Sequence, residues 1–229
     1  MTRQLPLDLG FAPSFAAADF LVSASNAAAF AWVERWPEWP GPAVAVCGPP
    51  GCGKTHLAHV WQRRSQALLI DAAQLTLNAG EPPAGTARTC IVDGISGHGM
   101  GAAAERALLH LYNMTVERRG QLMLCAESPP ARWPIALADL RSRLATIAVA
   151  TIEPPDDGLL EAVLAKLFAD RQLAVDRGTA IYMVARMERS FAAARTLVEA
   201  IDRAALATRR RPGLGLVREV MERLEGEAT

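Results

Sequence analysis

A glycine-rich turn constrains the fold of this chain more than any other feature of its sequence. Residues 48–55 read Gly-Pro-Pro-Gly-Cys-Gly-Lys-Thr, which fits the pattern G-x-x-x-x-G-K-[S/T]. An apolar run over residues 43–47 precedes the turn, and a helical pattern follows over residues 54–65. A strand that leads through such a turn into a helix is typical of a phosphate-binding loop in an α/β fold, because the N–H groups of the turn and the helix N-terminus point at phosphate oxygens.

This loop supplies most of the predicted nucleotide contacts. Lys54 is expected to reach the β- and γ-phosphates, and the Thr55 hydroxyl is expected to ligate Mg²⁺. A chance glycine turn is the alternative, which the flanking strand and helix disfavour. For His56, a buried and hydrogen-bonded side chain is favoured over a catalytic one. The predicted contacts in this segment are Gly48, Pro49, Pro50, Gly51, Cys52, Gly53, Lys54, Thr55 and His56.

A second element of the nucleotide site, a strand that ends in an acidic residue, is predicted downstream of the loop. Residues 90–93 read Cys-Ile-Val-Asp, an apolar strand that ends in Asp93, and a carboxylate there would hold Mg²⁺ through water. In most phosphate-loop proteins that hydrolyse nucleotides, the next residue is a second carboxylate that orients the attacking water. Here that position is Gly94. The sequence therefore predicts binding of ADP or ATP with Mg²⁺ through Lys54, Thr55 and Asp93, without a base for hydrolysis in cis.

Short apolar runs alternate with helical segments through the first two thirds of the chain. The predicted strands are residues 43–47, 68–70, 90–92, 122–125 and 147–152, and the predicted helices between and before them include 26–36, 54–65, 102–119 and 135–144. This alternation predicts a five-stranded parallel sheet covered by helices. After Pro154-Pro155, apolar stripes at helical spacing predict helices only. We expect an extended arm over residues 1–14, an α/β domain over 15–153 and a helical domain over 154–229.

Charge and composition exclude several classes of protein. Lys and Arg number 24 and Asp and Glu number 24, and this balance argues against a free-standing nucleic-acid binder. Lys54 and Lys166 are the only lysines, and the four cysteines lack metal-ligand spacing, which favours reduced thiols. Asp8 and Asp19 interrupt any signal-peptide core, and the uncharged run over residues 20–33 is too short to cross a bilayer. The chain is predicted to be cytoplasmic.

These motifs, in this order, resemble the AAA+ family and, within it, the replication initiator DnaA. The loop continues as Gly-Lys-Thr-His-Leu, residues 124–130 read Leu-Cys-Ala-Glu-Ser-Pro-Pro where DnaA has a segment ending in Asp-Arg-Pro-Pro, and residues 140–144 read Leu-Arg-Ser-Arg-Leu. The resemblance covers residues 15–225. It implies an AAA+ P-loop NTPase fold whose C-terminal helices form a lid.

The resemblance also implies roles for two arginines. Arg143 matches the interfacial arginine finger, which contacts the γ-phosphate of a partner, and Arg195 matches the sensor arginine of the lid. Arg141 and Arg143 point about 200° apart on a helix, so one of the two should bind within the chain. Surface salt bridges are the alternative for this pair, and a structural ion pair is the alternative for Arg195. Glu127 occupies a sensor position where relatives carry a different polar residue, which leaves its role open.

Both ends of the chain differ from DnaA. The helix-turn-helix DNA-binding domain of DnaA has no counterpart after the lid, and residues 4–9, Gln-Leu-Pro-Leu-Asp-Leu, resemble the motif by which bacterial proteins dock on the replication sliding clamp. The predicted clamp contacts are Gln4, Leu5, Leu7 and Leu9. This combination resembles the Hda group, the regulatory inactivators of DnaA. It implies a protein that docks on the DNA-loaded clamp and stimulates hydrolysis of DnaA-bound ATP through Arg143, which inhibits re-initiation. A leucine-rich arm packed on its own body is the alternative for the motif.

Other interpretations stay open at this stage. An autonomous AAA+ ATPase or loader acting on DNA would be expected to carry an acid at position 94 and a basic surface, whereas a non-catalytic DnaA-like adaptor would recruit a partner without triggering hydrolysis. A second copy of the chain is a further candidate partner. Phe20, Leu21 and Val22 match a segment that lines the adenine pocket of DnaA, and core packing explains them equally well. The basic patch Arg209-Arg210-Arg211 is interpreted as a solvated loop, with weak phosphate contact as the alternative.

Overall fold

A parallel β-sheet organises the first two thirds of the chain. The computed structural model describes residues 20–75, 88–96, 98 and 100–227, so the predicted clamp contacts Gln4, Leu5, Leu7 and Leu9 lie outside the described residues. The strands are β1 Ala43–Cys47, β2 Leu68–Asp71, β3 Cys90–Ile95, β4 Leu122–Ala126 and β5 Ala148–Thr151. Their order in the sheet is β2-β3-β4-β1-β5, and every neighbouring pair is parallel. The prediction of a five-stranded parallel sheet is confirmed.

The helices divide between the sheet and the C-terminal third of the chain. Around the sheet lie α1 Ala27–Arg35, α2 Lys54–Ser65, α3 Ala102–Glu117 and α4 Ala138–Leu144, and after it follow α5 Asp157–Asp170, α6 Arg177–Val184, α7 Phe191–Thr208 and α8 Leu214–Glu227. Side chains cap the starts of three of these later helices: Asp156, Asp176 and Ser190 each accept a hydrogen bond from a backbone N–H in the first turn.

Alternate residues of the central strands pack into two separate cores, one on each face of the sheet. In β1, Ala43, Ala45 and Cys47 join the core that contains α3 and α4, while Val44 and Val46 join the core that contains α1 and α2. Every residue of β1 and β4 is buried, which explains why these strands have continuous apolar sequences. A third core, built from apolar residues of α5–α8, holds the C-terminal helices together.

Most predicted elements agree with the structure to within two residues at each end, and two differ by three residues at one end, each for a local reason. Helix α4 begins at Ala138, because the backbone N–H groups of Ala136 and Leu137 donate to the carboxylate of Glu105 on α3. Strand β3 continues past Val92 through Asp93 and Gly94 to Ile95, with a register shift against β4 between Val92 and Ile95. Both departures lie beside residues that the sequence marks as functional.

Two further findings concern membrane-spanning helices and the cysteine thiols. Within the part of the chain that the structure describes, no helix is both long enough and apolar enough to cross a membrane. All four cysteines are free and buried.

Candidate functional site

The phosphate loop lies where β1 ends and α2 begins. Gly48 packs so tightly that a Cβ atom there would stand 2.3 Å from the carbonyl oxygen of Ile152. Gly53, directly before α2, has φ +106°, a backbone conformation that side chains rarely adopt. Both glycines are therefore required by the path of the backbone, and the shape of the loop follows from residue type rather than from side-chain contacts.

Lys54 points back over this loop. Its Nζ atom donates to the carbonyl oxygens of Gly48 at 2.7 Å and Pro49 at 2.8 Å, and lies 3.9 Å from the Sγ atom of Cys52. The ammonium group thus sits inside the curve of the loop, which is the place where a phosphate-binding lysine is needed. Burial raises the pKa of the Cys52 thiol, with the positive charge of Lys54 acting in the opposite direction, so the thiol is neutral at ordinary pH.

Thr55 and Asp93 meet across the sheet edge. The Thr55 hydroxyl donates to Oδ2 of Asp93 at 2.8 Å, while Oδ1 of Asp93 accepts from the N–H of Gly94 at 2.9 Å. A hydroxyl and a carboxylate both offer oxygen atoms as metal ligands. A site of this kind suits Mg²⁺, which takes its other ligands from water and phosphate oxygens. No group of three or more His, Cys, Asp or Glu side chains suited to a metal occurs among the described residues.

The backbone at Gly94 has a conformation that favours glycine. Its φ of +84° disfavours any L-residue, and the atom nearest to a Cβ added there would be Oδ1 of Asp71 at 3.8 Å. A carboxylate at this position would strain the backbone and would approach another carboxylate. The local backbone is therefore built around glycine.

A cavity of about 370 Å³ opens from the phosphate loop toward the C-terminal helices. Three cationic side chains line it: Lys54 from the loop, Lys166 from α5 and Arg195 from α7. Arg195 is half-buried, and among the described residues it has no ion-pair partner. The structure therefore brings the predicted sensor arginine to the predicted phosphate loop.

An aromatic group forms another part of the cavity wall. The Phe20 ring stacks on Phe30 with centroids 5.4 Å apart and meets the His56 ring edge-on at 5.2 Å. Phe20, Leu21 and His56 all line the cavity, so the first described segment of the chain borders the site. Val22 is exposed instead.

The C-terminal helices and the phosphate loop are also in direct contact. The N–H of Phe191, the first residue of α7, donates to the carbonyl oxygen of Gly51 at 2.9 Å. Gly51 and Ala192 line both this cavity and a second one of about 530 Å³, which Pro50 also borders. The position of α7 is therefore tied to the shape of the loop.

The arginine pair on α4 has two different environments. Arg141 donates through Nη1 to the carbonyl oxygen of Ile135 at 3.0 Å. Arg143 pairs with Asp139 one turn earlier, at 3.1 Å, and its guanidinium lies 5.6 Å from the centroid of the Tyr112 ring. Arg143 keeps 38% of its side chain exposed, so it lies at the surface of the α/β part, outside the cavity.

The remaining sequence candidates lie on the surface. Glu127 directly follows β4 and is exposed. In the basic patch, which begins at the end of α7, Arg210 pairs with Glu219 of α8 at 3.0 Å. All three arginines of this patch are exposed, in agreement with the predicted solvated loop.

Two residues of interest carry no sequence motif. Lys166 lines the cavity and pairs with Asp170 at 2.8 Å. Glu105 is 3% exposed and binds two backbone N–H groups ahead of α4. The scarcity of lysine was a signal for Lys166, whereas a lone Glu in a helix gives no sign of burial.

No protein-family model and no curated protein matches the sequence. The fold, however, is similar to solved structures. Domain III of the replication initiation protein DnaA from Thermotoga maritima superposes with a TM-score of 0.77 at 15% identity, covering 96% of this chain and 98% of that chain. AMPPCP-bound DnaA from Aquifex aeolicus gives 0.71 at 16%, covering 94% of this chain and 71% of the other.

The Holliday junction branch migration motor RuvB from Thermotoga maritima is similar as well, with a TM-score of 0.63 at 18% identity over 86% of this chain and 66% of RuvB. Such identities carry information about the fold alone. The chain has a DnaA-like AAA+ fold.

Proposed function

We propose that this chain binds ADP or ATP with Mg²⁺ in the cavity above the phosphate loop and regulates DnaA by contact, as the Hda group does. Docked through its N-terminal arm on the DNA-loaded sliding clamp, it would present Arg143 to ATP bound by DnaA. Hydrolysis of that ATP would inhibit re-initiation of replication. The protein would act in the cytoplasm and reach DNA only through the clamp, which agrees with a formal net charge of zero.

Nucleotide binding is supported by the cations and oxygens that border the cavity. Lys54 and Arg195 supply positive charge for the phosphates, and the N–H groups of the loop supply neutral donors. Thr55 and Asp93 would hold Mg²⁺, which supplies charge neutralisation for the phosphate oxygens when bound. The similar fold of AMPPCP-bound DnaA supports the same ligand class.

The single observation that carries the regulatory proposal is the combination of this phosphate apparatus with Gly94. The chain has the groups that bind phosphates, yet the residue that follows Asp93 has no carboxylate and a backbone φ of +84°. A protein built to bind nucleotide without a base at this position acts best through contact with a partner. This distinguishes it from an autonomous motor, the activity named for the similar RuvB structure.

Arg143 can leave its present partner at small cost. Exposed ion pairs of the Asp139–Arg143 kind contribute about 0.2–1 kcal/mol. An arginine finger supplied in trans accelerates hydrolysis by about 10³–10⁵. The Tyr112 ring, 5.6 Å from the guanidinium, adds about 0.5–1 kcal/mol, and a γ-phosphate with several charged oxygens can compete with both contacts.

ATP turnover tests this proposal. ADP release is measured for the purified chain alone, for DnaA with ATP, and for both together with DNA-loaded clamp. We expect little turnover by the chain alone and strong stimulation in the complete mixture, which Arg143→Ala abolishes and Arg143→Lys only weakly restores. Arg223→Ala, which removes an exposed arginine of α8, is the matched control and should stimulate fully.

Three results would contradict it. Substantial turnover by the chain alone would favour an autonomous ATPase. Clamp and DnaA binding without stimulation would favour a non-catalytic adaptor, and full stimulation by Arg143→Ala would show that the finger is another residue. For the arm, a clamp pull-down with Gln4→Ala and Leu7→Ala should lose binding, and undiminished binding would reject the arm as the docking element.

A further inference from the structure

A tyrosine on α6 contacts two arginines at the surface of the C-terminal helices. The guanidinium carbon of Arg186 lies 3.9 Å from the centroid of the Tyr182 ring, and that of Arg218 on α8 lies 5.2 Å from the same centroid. Both arginines are exposed, and neither pairs with a carboxylate among the residues that the structure describes. In the same part of the chain Arg189 and Arg210 do form ion pairs. The tyrosine thus gathers two cations that no ion pair of the described residues engages.

Contact with the ring leaves the hydrogen-bonding edges of these two stacked arginines available. A guanidinium carries five N–H donors in its plane, and contact of its face with an aromatic ring engages none of them. The ring also restricts the rotamers of the side chain, so less conformational entropy is lost when a ligand binds. Two cations held near one ring repel each other, and an anion between them would relieve that repulsion. The stacked arginines therefore suit an anionic group such as a carboxylate.

An apolar cavity adjoins these arginines. Arg186 borders the second cavity, of about 530 Å³, together with the larger apolar side chains Met187, Leu197, Met221 and Leu224. Its volume lies within the range of ligand sites, and methionine side chains adapt to ligands of different shape. A partner could therefore insert an apolar side chain beside the group that binds the arginines.

Charge changes sign along this surface, which we call the α6–α8 groove. On α8, Arg218 is followed by Met221 and then by Glu225, about 10 Å of helix rise beyond Arg218. Residues 186–188, after α6, read Arg-Met-Glu in the same order. Both glutamates, Glu188 and Glu225, border the cavity. The groove thus presents two cations, then two methionines, then two carboxylates, and a complementary segment carries an acidic, an apolar and a basic residue in that order.

This order of charges favours a polypeptide over a nucleic acid as the partner. A nucleic-acid strand carries a phosphate at every nucleotide, so the carboxylates of Glu188 and Glu225 would repel it. The guanidinium of Arg186 also covers a face of the Tyr182 ring on which a base would stack. A polypeptide can instead place side chains of opposite charge on either side of an apolar one.

We infer that the α6–α8 groove docks a polypeptide segment of a partner protein that carries an acidic, an apolar and a basic residue in that order. The acid accepts hydrogen bonds from the two stacked arginines, the apolar side chain enters the cavity between the two methionines, and the basic residue faces the two carboxylates. These side chains lie outside the predicted nucleotide contacts and do not include the predicted arginine finger. The docking surface therefore goes beyond the proposed function and is tested independently of it.

NMR spectroscopy of the full chain with ¹³C-labelled methionine methyl groups tests this docking. The probe is the peptide acetyl-Thr-Asp-Thr-Leu-Thr-Lys-amide, whose Asp, Leu and Lys lie on one side of an extended chain. We expect saturable shifts of the methyl signals of Met187 and Met221, which the variants Met187→Leu and Met221→Leu assign. A peptide with Asn in place of Asp should bind about tenfold more weakly, the loss expected for a hydrogen bond to a charged group.

Variants of the chain relate these shifts to the stacked arginines. Arg186→Gln and Arg218→Gln should each weaken binding of the Asp peptide by about fivefold or more, and each should reduce the difference between the Asp and Asn peptides. Arg223→Gln is the matched control, because Arg223 is an exposed arginine of α8 that does not line the cavity, and it should bind like the wild type. Circular dichroism checks the folding of each variant.

Other results would overturn the inference. Unchanged signals of Met187 and Met221 at millimolar peptide would show that the groove does not take such a segment. Equal affinities for the Asp and Asn peptides would show that the stacked arginines do not bind an acid. If a short oligothymidine shifted the same two signals at lower concentration than the peptide, the groove would be assigned to nucleic acid instead.

Discussion

Replacement of Glu105 by glutamine should expose how strongly a single buried carboxylate organises the segment ahead of the arginine pair. Glu105 is 3% exposed, and its two oxygens accept from the N–H groups of Ala136 and Leu137 at 3.0 and 2.8 Å. Glu105→Gln keeps the volume of the side chain but turns one acceptor into an NH₂ donor. One backbone N–H would then face another donor in a buried place.

The size of the effect follows from these two bonds. A hydrogen bond to a charged group contributes about 1.5–3 kcal/mol, and a buried polar group left without a partner costs about 1–3 kcal/mol. Glutamine retains one acceptor, so we expect the free energy of unfolding to fall by about 2–4 kcal/mol. A domain with a total of about 5–15 kcal/mol would stay folded at room temperature.

Urea unfolding followed by tryptophan fluorescence measures this change. Glu117→Gln is the matched control, because Glu117 ends the same helix and is exposed, and it should alter stability by less than about 0.5 kcal/mol. If Glu105→Gln changed stability as little as the control, the two N–H bonds would not hold the start of α4. In the DnaA turnover assay we also expect weaker stimulation, since Arg143 lies on the helix that this segment positions.

Three further predictions can be checked on the isolated chain or in the same assay. Gly48→Ala should lower the free energy of unfolding in urea by about 2 kcal/mol or more, because its Cβ would stand 2.3 Å from a backbone carbonyl oxygen. Gly41→Ala is the control and should have little effect, since nothing lies within 4 Å of a Cβ there. Equal unfolding midpoints for the two variants would refute the clash. Asp139→Asn should leave stability within about 1 kcal/mol and raise the stimulation of DnaA, because it releases Arg143, and weaker stimulation would contradict this. Burial raises the pKa of Cys90 to about 11 from 9.0, so the native state keeps a proton that the unfolded chain loses, and stability should fall as the pH rises from 9 through 11. Cys90→Ala should flatten that fall relative to its own stability at neutral pH, and an unchanged slope would reject the assignment.

Much of the fold and the phosphate loop could be predicted because their determinants are local. The strands β1 and β4 are buried on both sides, so their sequences are continuous apolar runs. The loop is contiguous, and its glycines are selected by its own backbone path, as the close approach of Gly48 to Ile152 shows. The meeting of Thr55 with Asp93 was also predictable, since the carboxyl ends of parallel strands lie at one edge of the sheet.

The features that escaped prediction depend on residues far apart in the chain. Glu105 reaches N–H groups 31 and 32 residues away, and nothing near it in sequence marks it as buried. Lys166 borders the same cavity as Lys54 because α5 and α7 run side by side beside the loop. Its i,i+4 spacing to Asp170 predicts an ordinary surface ion pair, and such pairs contribute little to stability. The scarcity of lysine becomes informative once the fold is known. A chain that uses arginine almost everywhere places both of its lysines around one cavity, and the phosphate loop requires the first of them.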